Sequence, residues 1–131
     1  MTMMKKILSS ALLGAVVLSL SALSFNAARA HGGAKAKHGG VVVTASDLGF
    51  ELVGTPGGAA IYVEDHGKPM APTGITGKLT VLNGSQKSEA ELTAVGDKLE
   101  AKGVTLAAGA KVVAALTTPA KKAITVRFTV K

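Results

Sequence analysis

The sequence predicts an all-β domain, an immunoglobulin-like β-sandwich of seven or eight short strands. Three observations carry this. The stretch Ile124 to Val130 alternates strictly, with apolar residues at even positions and Thr125, Arg127 and Thr129 between them. Several further short runs are rich in β-branched residues. Turn dipeptides and Gly/Pro clusters punctuate the chain at close intervals.

The elements follow in order. Val41-Val42-Val43-Thr44 is β-branched throughout, and Phe50-Glu51-Leu52-Val53 forms a second run. Thr55-Pro56-Gly57-Gly58 is a turn signal. Ala59 to Glu64 places Ile61 and Val63 on one face, with Tyr62 and Glu64 on the other. Asp65 to Pro69 reads as a polar turn in which Gly67 supplies a positive φ. Leu79 and Val81 share a face in Lys78 to Leu82. Asn83-Gly84 is a favoured hairpin dipeptide, although the polar residues up to Lys87 suggest a longer loop. Ser88 to Thr93 and Lys98 to Lys102 are two more strands. Val112, Ala114 and Leu116 share a face before the turn at Thr118 to Lys121. One segment competes as a helix, Lys87 to Leu99, because Leu92, Val95 and Leu99 have helical spacing; Gly96 opposes it. The expected core is Ile61, Val63, Leu79, Val81, Val112, Leu116, Ile124, Val126 and Phe128.

The N-terminus sets the compartment. Lys5 and Lys6 precede an apolar run from Ile7 to about Leu23, which ends at Ala28-Arg29-Ala30. This is the pattern of a secretory signal peptide over residues 1–30, cleaved after Ala30, and it implies a periplasmic protein that is not integral to the membrane. The remaining chain, 31–131, divides into a flexible His/Gly/Lys tail over 31–40 and one domain over 41–131. There is no cysteine, which excludes disulfides and thiolate metal sites. The whole chain carries a formal charge of +7. Cleavage would remove Lys5, Lys6 and Arg29 and leave about +4. The lysines are scattered along the sequence and no aromatic residues interleave with them, so nucleic acid is not an expected partner.

The tail reads His31-Gly-Gly and, seven residues on, His38-Gly-Gly. With cleavage after Ala30, His31 has a free α-amine. Amine and imidazole then form a tethered nitrogen chelate suited to Cu(II), with Ni(II) and Zn(II) as alternatives. His38 and His66 are candidate further ligands. Met70, the one methionine after the signal peptide, is a fourth candidate. Against this stands the plain reading: an exposed tail, an ordinary turn histidine, a partly buried methionine and no metal at all.

The residues do not suggest an enzyme. No Gly-x-Ser-x-Gly elbow or His-Glu-x-x-His motif occurs, and no Gly-rich phosphate loop precedes a helix. With no Trp and one Tyr, a sugar-stacking platform is missing.

Five stretches carry a family resemblance: His38-Gly39-Gly40-Val41-Val42, Phe50 to Val53, Ile61-Tyr62-Val63-Glu64-Asp65-His66-Gly67-Lys68-Pro69, Gly77 to Leu82, and Ala123 to Val130. In these the chain resembles small periplasmic domains associated with heavy-metal efflux systems of the resistance-nodulation-division type, freestanding or preceding the adaptor subunit. The resemblance implies an accessory role in metal homeostasis, with efflux-system components as partners. It does not extend to the adaptor's hairpin or lipoyl-like part. A weaker resemblance, to periplasmic copper-carrier β-sandwich proteins, rests on the histidine at the mature N-terminus. Two function classes follow: a metal-handling accessory, and an interaction module that docks on an envelope or exporter protein without touching metal.

Overall fold

The structure is a computed structural model that describes residues 35–131. The expected signal peptide, its expected cleavage site and His31 lie outside the described residues. The described residues contain nine strands and no helix: β1 (Val41–Ala45), β2 (Leu48–Thr55), β3 (Gly58–Asp65), β4 (Lys68–Met70), β5 (Thr76–Asn83), β6 (Gln86–Val95), β7 (Lys98–Lys102), β8 (Lys111–Thr117) and β9 (Ala123–Thr129). The all-β sandwich is therefore the observed class.

The strands run in the order β1-β2-β3-β7-β6-β5-β8-β9, with β4 on the end of β3, and every pairing is antiparallel. Strand β6 makes the corner. Its first residues pair with β5 as far as Leu92, and Thr93–Val95 then pair with β7. A strand that changes partners in this way turns one continuous sheet into two facing layers. At the far ends, β1 and β9 come alongside each other, so the sheet is nearly closed into a barrel.

The core lies between the layers. Phe50, Leu52, Ile61, Val63 and Leu99 enter from one, and Leu79, Val81, Val112, Leu116, Ile124, Val126 and Phe128 from the other. All nine residues expected in the core are buried. In β9 the buried and exposed positions alternate without a break, as the sequence requires of a half-buried strand.

The turns resolve two open points. Lys87 to Leu99 is a hairpin and not a helix: Gly96, at φ 62°, opens a two-residue loop between Val95 and Lys98. Leu92 and Leu99 reach the core from separate strands, and Val95 is exposed. The β5–β6 connection is shorter than the polar run suggests. Asn83 pairs with Gln86, and Gly84–Ser85 alone make the loop. The ninth strand, β4, falls in the segment read as a polar turn. It is three residues long and contains Pro69, which a strand tolerates at a sheet edge because no ladder donor is needed there.

Candidate functional site

Phe50 and Leu52 point into the core, so the alternation of β2 sends Glu51 to the opposite face of its sheet. Glu51 stands between Val42 of β1 and Tyr62 of β3. It is nevertheless buried, the one polar or charged residue that is buried among those described. What covers it is the leader that precedes β1.

Residues Lys37 to Gly40 lie against the carboxylate and bring four donors to it. The backbone N–H of Lys37 donates to Oε1 at 3.0 Å. Those of His38 and Gly40 donate to Oε2, each at 2.8 Å, and His38 Nδ1 lies 3.0 Å from Oε1. Each oxygen thus has two partners. This corrects the flexible-tail expectation for the end of the 31–40 segment: residues 37–40 are fastened to the domain, because a buried carboxylate without donors would be costly. The second His-Gly-Gly triplet gains a physical reason. Gly39 has φ +77°, and a Cβ at Gly40 would collide with the Leu52 carbonyl.

Two side-chain contacts complete the clasp. The His38 imidazole stacks on Tyr62, with 3.6 Å between centroids and 5° between planes. Lys37 Nζ reaches over β3 to Glu64 Oε2 at 2.7 Å and to the Gly67 carbonyl at 3.0 Å. Burial alone would raise the Glu51 pKa. The His38 ring and the N–H groups of Gly40, Lys37 and His38 outweigh it and bring the value down from 4.5 to about 2.

An ionised carboxylate only accepts hydrogen bonds, so Nδ1 of His38 carries the proton that faces Glu51. In the neutral ring the lone pair is then on Nε2. The His38 side chain is 41% exposed, against 7% for Glu51. A carboxylate that holds one ring nitrogen and leaves the other free is how metal-ligating histidines are commonly oriented.

The remaining candidates are placed differently. His66 occupies the β3–β4 turn with φ 54°; its side chain is 84% exposed, and Nδ1 lies 2.6 Å from its neighbour Asp65 Oδ1. Met70 pairs with Val63 and packs, partly buried, against the core. Lys37 links the two histidine regions, because its Nζ bonds the carbonyl of Gly67, next to His66. Among the described residues, no three His, Asp or Glu side chains gather as a metal-holding group. The folded domain therefore offers His38 Nε2, oriented by a buried carboxylate and a ring stack, whereas the His66 ring is held only by its exposed chain neighbour Asp65. Sequence reasoning did not single out Glu51, Lys37 or Tyr62, since Glu51 reads as one more outward position of a strand.

No family model matches the chain, and no curated protein or solved structure matches it either.

Proposed function

We propose that the protein is an exported accessory of heavy-metal homeostasis, and that it holds a divalent ion, Cu(II) before Ni(II) or Zn(II), at its N-terminal leader. The observation that supports this reading is the Glu51–His38 pair. It fixes one imidazole by its Nδ1 and leaves Nε2 to act as a ligand. His31, with its free amine after cleavage, would supply the other nitrogens. The clasp holds residues 37–40, so only five residues, Gly32 to Ala36, separate it from His31, which keeps the entropy cost of bringing the two histidines together small. A nitrogen-rich donor set favours Cu(II) in the general affinity order.

The test uses Cu(II) titration of chain 31–131 with no residue ahead of His31. Tyr62 is the one tyrosine and there is no tryptophan, so its fluorescence reports on the ring stacked against His38. Binding at His38 quenches that emission. His38→Ala abolishes the quenching, and Glu51→Gln weakens affinity by about 10- to 100-fold, as loss of a ligand's orienting partner does. An extra Gly before His31 weakens it by displacing the amine, and His66→Ala leaves it unchanged. Equal affinity with and without the extra Gly would refute the chelate. Absence of binding throughout would refute the metal reading and leave the interaction module.

A further inference from the structure

All eight carboxylate side chains of the chain lie between Asp47 and Glu100, whereas Ala101 to Lys131 contains six Lys and Arg and no Asp or Glu. In the linear sequence these cations are spread out. Folding collects four of them on one hairpin. Lys111 opens β8, Arg127 lies in β9 opposite Val113, and Lys121 and Lys122 belong to the connecting turn. All four are exposed. Alternation puts Lys111 and Arg127 on the outer face of the layer, with small neighbours such as Ala115, Thr117 and Thr125.

None of the four makes an ion pair among the described residues. The domain's ion pairs lie on the leader, the β3–β4 turn and strands β5 to β7. Among the described residues, Lys111 Nζ meets only the Thr129 hydroxyl, at 3.4 Å. One strand further in, Lys78 of β5 is paired with Glu89 of β6. The positive field of the β8–β9 face is therefore not cancelled locally.

We infer that the outer face of the β8–β9 hairpin docks on the anionic headgroups of a phospholipid bilayer. The face is built from extended strands whose larger apolar residues Val112, Leu116, Ile124, Val126 and Phe128 turn inward, while the half-buried Val113 lies on the outer side opposite Arg127. It has cations and short side chains but no aromatic anchor of the kind that dominates protein–protein contacts, and none on which bases stack. A mobile array of phosphates meets its requirement, which is charge without fixed geometry. Each cation near such a surface contributes about a fivefold gain in binding. This inference is independent of the metal reading.

The test is co-sedimentation of chain 31–131 with vesicles. The unit Gly33–Lys131 is compact by itself and contains all nine strands, and omitting the apolar leader removes a trivial route into lipid. Vesicles of phosphatidylglycerol mixed with phosphatidylcholine should bind the protein at about 0.1 M salt. They should release it at about 1 M, where the screening length falls from about 10 Å to about 3 Å. Vesicles of phosphatidylcholine alone should not bind it. The double variant Lys111→Glu/Arg127→Glu should lose at least about tenfold in affinity. Lys35→Glu/Lys68→Glu makes the same change in net charge at exposed positions outside β8 and β9, and it should lose far less. Circular dichroism establishes that both variants fold. Equal losses in the two variants would show that net charge alone attracts the protein, and would overturn the inference. So would absence of binding to the anionic vesicles. Face-dependent capture by polyglutamate without vesicle binding would overturn it too, and would assign the face to an acidic protein.

Discussion

The ring of His38 lies flat on the ring of Tyr62, 5° from parallel, while its Nδ1 is held by Glu51 on the neighbouring strand. A segment that precedes the first strand is thereby tied to both β2 and β3. The stack makes Tyr62 a probe of the leader. Tyr62→Phe should keep the ring contact and leave stability within about 0.5 kcal/mol. Tyr62→Ala removes an aromatic pair worth about 0.5–1.5 kcal/mol beyond its buried area and should lower stability by more than that. Urea unfolding of the two variants, followed by circular dichroism, checks the difference.

Glu51 gives the domain an acid limit. Its pKa is about 2 in the folded state, against 4.5 for the free side chain. Between those values the unfolded chain binds the proton and the native one does not, so stability falls as pH falls. The contribution is fully present above about pH 4.5 and is lost progressively toward pH 2; its size is on the order of 3 kcal/mol. Glu51→Gln should forfeit this at neutral pH, because an amide NH2 would face two N–H donors, and should flatten the pH dependence between those limits. Urea midpoints measured from pH 7 to pH 2 for both proteins decide the matter. Parallel curves would mean that another group sets the acid limit.

Much of the fold was legible because it is local. The alternation of β9 and the inward positions of β3, β5 and β8 follow from residue type and spacing, and the structure places them accordingly. The clasp was not legible, because three of its four donors are backbone N–H groups, which no side chain announces. Glu51 between Phe50 and Leu52 has the pattern of any solvent-facing strand position. Only the return of Lys37–Gly40 over it makes it buried. The cationic face was hidden for a related reason. Lys111 and Arg127 are sixteen positions apart in sequence, and only the β8–β9 register brings them to adjacent rows. β4 was missed because Pro69 and the short run of Lys68–Met70 resemble a turn.

Gly40 should be the least replaceable residue of the leader. A Cβ there would meet the carbonyl oxygen of Leu52, which belongs to the paired backbone of β2 and has no freedom to move aside. Gly40→Ala should therefore undock the leader rather than displace the strand. The amides of Lys37 and His38 should then lose their protection in hydrogen-exchange measurements, while those of β2 and β3 keep theirs. Gly39→Ala has open space at the Cβ and only the left-handed backbone to pay for, about 1–2 kcal/mol. It should leave the leader docked more often than not. Equal exchange in the two variants would show that the close approach at Gly40 is not what limits docking.

The β1–β2 hairpin contains a correctable strain. Its two loop residues, Ser46 and Asp47, have φ of 51° and 65°, and neither is glycine. Positive φ at both positions is the geometry of the turn that best matches the twist of a hairpin, and Asn-Gly is the dipeptide it favours. Serine and aspartate adopt it only at a cost, because their Cβ crowds the backbone in the left-handed region. Both residues are exposed and Asp47 forms no ion pair among the described residues, so replacing it removes no contact of that kind. Glycine also gains entropy in the unfolded chain, which offsets part of the relief. The net expectation for Asp47→Gly is a gain of about 0.5–1 kcal/mol. The double change Ser46→Asn/Asp47→Gly should gain somewhat more, since asparagine tolerates positive φ better than serine. Thermal unfolding should show the melting temperature rising by a few degrees, as about 1 kcal/mol does in a domain of this size. A fall in melting temperature for both variants would mean that the Ser46–Asp47 loop is held by interactions stronger than its backbone strain.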